Sequence, residues 1–322
     1  MNALAVTGRD LTMRMRSMAA GRTLIGVTAV LAGVVLSVYR IATTSRRGTT
    51  GVSALLSTGV GREVVHLTLF VLLVTFCVAI PVTAGTALAG ERERGTLAAI
   101  LLSGVHPLGL VTAKLSASVL AMVALVGVAA PFLAVGYLLG GVSGIEIVKG
   151  VAVLILSASM LSAVSLAVSA AAPTAAKGVA RAGIAVLLLV VGTVLALGLE
   201  SVVQRSTNFA DANRAVLMAN PFAATADAVA GPSGGSERFP SPFTPFYALI
   251  GDQATLLGDL VLQPLDGNGF GFQRVNAGVA RLSAARSTPF SFGAIAVDLG
   301  LIVASLAFAS RRLRLPRSAR AS

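Results

Sequence analysis

Six apolar runs, each bounded by charge and each near the thickness of a lipid bilayer, decide what this chain can fold into. They cover residues 23–39, 64–89, 115–139, 147–172, 183–199 and 290–310. A helix rises about 1.5 Å per residue, so a hydrocarbon core about 30 Å thick takes roughly 20 apolar residues, with about 17 as the practical minimum. No segment shows the ten-residue, period-two alternation of a membrane barrel. The expected fold is therefore an all-α integral membrane protein of six transmembrane helices, one polytopic domain over residues 1–322. Composition agrees, with 55% hydrophobic and 12% charged residues, the latter about half the share of a soluble domain. The mean hydropathy of +0.87 also excludes disorder, which needs low hydrophobicity.

Orientation follows from where Lys and Arg fall. With the N-terminus inside, the inner segments hold Arg9, Arg14, Arg16, Arg22, Arg92, Arg94, Lys114, Lys177, Arg181, Arg311, Arg312, Arg314, Arg317 and Arg320. The short outer loops hold Arg40, Arg46, Arg47, Arg62 and Lys149. Basic residues collect on the cytoplasmic side, so both termini are expected there, in a cell inner (plasma) membrane. The net charge of +12 then belongs to topology and anionic headgroups. Basic residues do not alternate with aromatics as in single-strand binders, so the bilayer is an expected partner and nucleic acid is not.

The ends and the long connection complete the layout. The first run is followed by Ser37-Val38-Tyr39-Arg40, a poor cleavage site, so it reads as a retained anchor. Residues 4–18 mix Leu, Val and Met with Arg and read as an amphipathic helix on the inner surface, with a solvated tail as the alternative. Residues 200–289 form a long outer loop with Pro/Gly clusters at 231–235 and 240–245. Within it, 248–265 reads as a short amphipathic helix. The single cysteine, Cys77, forms no intrachain disulfide.

Catalytic chemistry is not written in the chain. The two histidines, His66 and His106, stand far apart, no Cys/His/acid cluster has metal-ligand spacing, and no G-x-x-x-x-G-K-[ST] loop is present to hold ATP. An enzyme site, a cofactor and a metal are therefore not expected on this chain.

The informative stretch follows the second run. Four alternating charges, Glu91, Arg92, Glu93 and Arg94, end the apolar segment at an aqueous face. Gly95 breaks the helix, and Thr96 is placed to cap a second, short one. Leu97, Ile100 and Leu101 fall at helical spacing in that helix. His106-Pro107 ends it, and the chain re-enters the membrane through Lys114. A short helix rimmed by charge thus lies between spans two and three on the inner face; an ordinary loop with snorkelling arginines is the alternative.

The string from Gly90 to Lys114 resembles the hallmark of the type-2 export permeases of ATP-binding-cassette (ABC) transporters. Those carry Glu-Arg/Lys-Glu-Arg-Gly-Thr-Leu after their second span, then leucines, a Pro-containing turn and a small residue before Lys. Gly140-Gly141-Val142-Ser143, Ser169-Ala170-Ala171 and Asn220-Pro221-Phe222 are also similar to that family. Ala98 and Ala99 depart from it, since a larger or acidic residue is usual there. The resemblance implies a permease subunit that pairs with a second permease, identical or different. It also implies two copies of an ABC ATPase on other chains, where ATP and Mg would bind. Glu91, Arg92, Glu93, Arg94, Gly95, Thr96, Leu97, Ile100, Leu101, His106 and Pro107 would then form the element coupled to the ATPase.

Asp298 lies about 12 Å into the sixth run. It either lines a substrate path or partner contact, or makes a packing hydrogen bond to Ser or Thr. Glu146 and Lys149 are three apart and read as a pair at the mouth of span four. His66 reads as interfacial, and the Gly136–Gly140 spacing permits close helix contact. Two other classes of function stand beside the exporter: a gradient-driven secondary transporter and a structural or sensor membrane protein.

Overall fold

The computed structural model describes residues 25–33, 35–37, 40, 53–203, 214–229, 242–243, 246, 260–265, 269–274 and 290–313. Among these, five helices are long and apolar enough to cross a membrane: Val60–Glu93, Pro107–Leu139, Gly144–Ala171, Ala175–Glu200 and Phe292–Arg312. Each overlaps one expected run to within two residues and overshoots it at one end or both, because a helix continues past the hydrocarbon into the polar interface. Run one appears as a shorter apolar helix, Ile25–Ser37 (α1). The expected surface helix over 4–18, the tail beyond 313 and most of the Pro/Gly-rich stretches lie outside the described residues.

The second helix is broken into Ser53–Ala87 (α2) and Ala89–Glu93 (α3), followed by the short Thr96–Leu102 (α4). Pro107–Leu139 (α5) and Gly144–Ala171 (α6) are continuous. The next span comprises Ala175–Leu187 (α7), a π-helical turn Leu188–Gly192, and Thr193–Val203 (α8). After a 3-10 turn at Arg214–Ala219 come Pro221–Val229 (α9) and, last, Phe290–Arg312 (α10).

Helix α2 is the axis of the bundle, in contact with α5, α6 and α7. Leu69, Leu72, Leu73, Phe76 and Ile80 on it are wholly buried. Val27 and Leu31 of α1 join the same core. In lipid the hydrophobic effect does not drive helices together, so close packing and small residues must. Gly61 shows this: a Cβ there would overlap the carbonyl oxygens of Gly136 and Gly140, which realises the expected close approach. Gly178 of α7 meets the Gly85 carbonyl of α2 in the same way. Ser118 and Ser162 bond across α5 and α6 at 3.2 Å. Large apolar side chains such as Val78, Leu138, Leu195 and Val303 face outward, as lipid-facing surfaces require.

The α5–α6 turn is locked by local chemistry. Gly140 and Gly141 take φ values of 84° and 86°, a region closed to most side chains. Ser143 and Glu146 form a reciprocal capping box, and Arg62 donates from Nε to the Gly141 carbonyl at 3.0 Å. Its guanidinium lies 3.7 Å from the Glu146 carboxylate. The expected Glu146–Lys149 pair is thereby replaced: Glu146 is held by the cap and by Arg62, and Lys149 is exposed.

The 200–289 connection is more than a loop. Asn220 is fully buried and uses its whole amide. Its Nδ2 donates to the Val190 carbonyl and to Thr193 Oγ1, both at 2.8 Å, and its Oδ1 accepts from the Phe222 and Ala223 N–H groups. The Val190 carbonyl lies in the π turn, where the normal i→i−4 ladder is interrupted. Asn220 thus caps α9 and repairs span five at once, with Pro221 at the start of α9 as such caps favour. Phe222 stacks on Phe246 and meets Phe70 edge-on, and Phe70 and His66 both meet Phe243. His66 is 2% exposed, buried under this aromatic cover.

A second correction falls at 248–265. Leu260–Leu265 (β1) is a strand paired antiparallel with Gly269–Arg274 (β2), Leu265 opposite Gly269, so the expected helix does not extend through it. The intervening Asp-Gly-Asn is turn chemistry that favours a hairpin. The described bundle is helical, with this hairpin as an addition to the expected all-α fold.

Candidate functional site

The charged segment after span two is built from the break at Leu88. Helix α2 stops one residue earlier, and Ser169 of α6 fills the gap: its Oγ accepts the N–H groups of Leu88 and Ala89 at 3.2 and 3.0 Å. The chain then makes one more turn, α3, which carries Glu91, Arg92 and Glu93.

Each of three consecutive residues reaches a different helix. The Glu91 carboxylate lies 2.6 Å from Lys114 Nζ on α5, with both residues buried. Arg92 donates from Nη2 to the Ala170 carbonyl and from Nη1 to the Ala172 carbonyl, both at 2.7 Å. These oxygens belong to the last turn of α6, which has no intrahelical partners for them. Glu93 Oε2 accepts the N–H of Ala175, the first residue of α7, at 2.8 Å. Cation at a helix C-terminus and anion at an N-terminus are the favourable signs for the helix dipoles. Arg94 is exposed at the C-cap of α3.

Gly95 follows with φ 73°, a left-handed turn that reverses the chain into α4. It is the N-cap of α4 and offers no side chain, so the expected Thr96 cap is corrected. Thr96 begins the helix, and its Oγ1 donates back to the Glu91 carbonyl at 3.1 Å. Leu97, 6% exposed, enters the bundle core, and Ile100, Leu101 and Val105 pack against it partly buried. The leucine face therefore seats α4 on its own protein. The outward face is Ala98, Ala99, Leu102 and Ser103, all exposed. The two alanines that depart from the usual pattern are on this open side.

His106 and Pro107 open the next helix. Helix α4 ends at Leu102, and Gly104 takes φ 83°. His106 Nδ1 accepts the Leu108 N–H at 3.3 Å, and Pro107 sits in the first turn of α5. This corrects the expectation that Pro107 terminates the short helix. A proline tolerates that position because its missing N–H would have had no partner.

Asp298 stands elsewhere, within α10 and 1% exposed. Ser157 of α6 donates to its Oδ2 at 3.5 Å, a bond of the packing kind expected from a neighbouring serine. The structure thus gathers Glu91 to Pro107 at one end of the bundle and keeps Asp298 apart. Outside the expected site set stand Ser169, Ala170, Ala172 and Ala175, whose contribution is mostly backbone, and Lys114, which the sequence marks as a basic residue at the end of the string from Gly90 to Lys114 without its Glu91 partner.

Among curated proteins, none matches the chain. The model of the ABC-2 family transporter proteins matches residues 5–312, nearly the whole length. Members are in general non-catalytic membrane subunits that work with an ABC ATPase. With its helices of spanning length and its charged turn running into a short helix, the chain belongs to the ABC-2 transporter family and is a membrane permease of that type.

Proposed function

We propose that the chain is the permease subunit of an ABC exporter, which moves its substrate outward using ATP hydrolysed with Mg on separate ATPase subunits. The carrying observation is α4, a seven-residue helix seated by Leu97 with Ala98, Ala99 and Leu102 left open. Small exposed residues let a partner's surface approach closely, and Leu102 at 68% exposure supplies an apolar anchor. This face docks in a groove of the ATPase. Glu91 to Arg94 brace it, and His106 with Pro107 return the chain to the bundle. The permease breaks no bonds.

In this reading α1 with its flanks completes a sixth span over 23–39, and a surface helix over 4–18 precedes it. A second permease, identical or different, pairs with this one, and two ATPases serve the pair. Both termini are cytoplasmic in a plasma membrane. Asp298, buried against Ser157, holds α10 to α6.

Two results are expected. A tagged chain purified in mild detergent retains a P-loop ATPase, identified by mass spectrometry; recovery of the permease without any ATPase overturns the reading. In a Cys77→Ser background, an impermeant thiol reagent labels Ser143→Cys on intact cells and leaves Ser103→Cys untouched until the membrane is opened. The reverse pattern inverts the topology.

A further inference from the structure

We infer that Glu91-Arg92-Glu93 works inside this chain, as the element that passes motion of α4 to spans three, four and five, and that Glu93 acts through the N-terminus of α7 rather than on the ATPase. This rests on the permease reading above and assigns the charged motif a role within it.

Successive residues of a helix point about 100° apart, so three in a row sweep about 200°, just over half a circle. Here the sweep lands on three separate helices: Lys114 of α5, the Ala170 and Ala172 carbonyls ending α6, and the Ala175 N–H opening α7. Arg92 and Glu93 grip the short α6–α7 connection from its two sides. The α4 end is equally tied. Only Arg94 and Gly95 separate Glu93 from α4, and Thr96 bonds back to the Glu91 carbonyl. Any displacement of α4 therefore has a short, hydrogen-bonded route to three spans. A charge placed only for docking would need none of these internal partners.

Glu93 is itself exposed, so a direct contact with the ATPase is the competing role, and one substitution separates the two. Ala175→Pro removes the N–H that Glu93 accepts and leaves the Glu93 charge in place. The site suits proline: it is the first helical position, and Thr174 before it has φ −129° and ψ 156°, the extended region that a following proline demands.

The test uses the full permease reconstituted with its ATPase, reading two quantities: ATPase retained, and ATP turnover per retained ATPase. Ala175→Pro and Glu93→Gln should each keep ATPase retention at the parental level. Each should lower permease-stimulated turnover by about tenfold, as fits loss of one charge-assisted hydrogen bond. Both act on the same bond, Ala175→Pro by removing its donor and Glu93→Gln by removing the acceptor's charge, so the double variant should fall no further than Ala175→Pro. Parental turnover in Ala175→Pro overturns the inference, most sharply if Glu93→Gln meanwhile loses retention, since Glu93 would then act on the partner. A parental chain that retains no ATPase overturns the permease reading itself.

Discussion

Ala98→Asp combined with Leu102→Asp is expected to leave the permease folded and inserted while abolishing capture of its ATPase. The two positions are four apart on α4 and share its outward face. In the free permease both side chains face solvent, so two carboxylates there disturb no internal contact. In the docked state they would be desolvated without partners, at a cost of several kcal/mol. That lowers affinity on the order of a thousandfold. Pull-down of the ATPase and the melting temperature of the purified permease are the paired measurements. The contrasting variant is Leu97→Asp: Leu97 lies in the core, so that substitution should lower the melting temperature before any question of docking arises. If the Ala98/Leu102 variant binds its ATPase at parental affinity, α4 does not carry the contact.

The contrast between Leu97 and Ala98 also marks how far the sequence could be read. Helical spacing groups Leu97 with Ile100 and Leu101, but it does not say whether that face looks outward or back at the bundle. In a soluble protein the apolar face would point inward by default; in a membrane subunit with a partner, both faces can be apolar. The five helices of spanning length were legible because lipid leaves a spanning segment no alternative to helix. Their ends were not, because a helix such as α3 continues through charged residues once the neighbouring helices supply partners. Glu91 to Arg94 stood out as a motif, yet their receptors did not, since the Ala170 and Ala172 carbonyls and the Ala175 N–H are backbone atoms with no residue signature. In the sequence Asn220 stands out only within Asn220-Pro221-Phe222. Its role depends on a π turn in span five that no residue pattern announces. The β1–β2 hairpin is not legible in the sequence, because Pro264 and Gly271 weaken the strand signal of the two segments.

Lys114→Met alone should be among the most damaging single substitutions at the charged end, and adding Glu91→Gln should undo most of the damage. Glu91 Oε1 lies 2.6 Å from Lys114, and its Oε2 has no hydrogen-bond partner among the described residues. Lys114 is thus the main compensation for a carboxylate whose residue is 8% exposed. Removing one member of a buried pair costs about 3–5 kcal/mol, because the remaining charge is stranded. In melting temperature that is a fall on the order of 10 °C. Replacing both members removes the stranded charge, so the double variant should regain most of the loss, and the cycle should show a strong, favourable coupling. Restored stability need not restore coupling to the ATPase. If the pair transmits motion from α3 to α5, the double variant should melt near the parent yet stimulate its ATPase poorly. Equal melting temperatures for Lys114→Met and the parent would mean that Glu91 and Lys114 contribute nothing to one another, and the brace would then rest on Arg92 and Glu93 alone.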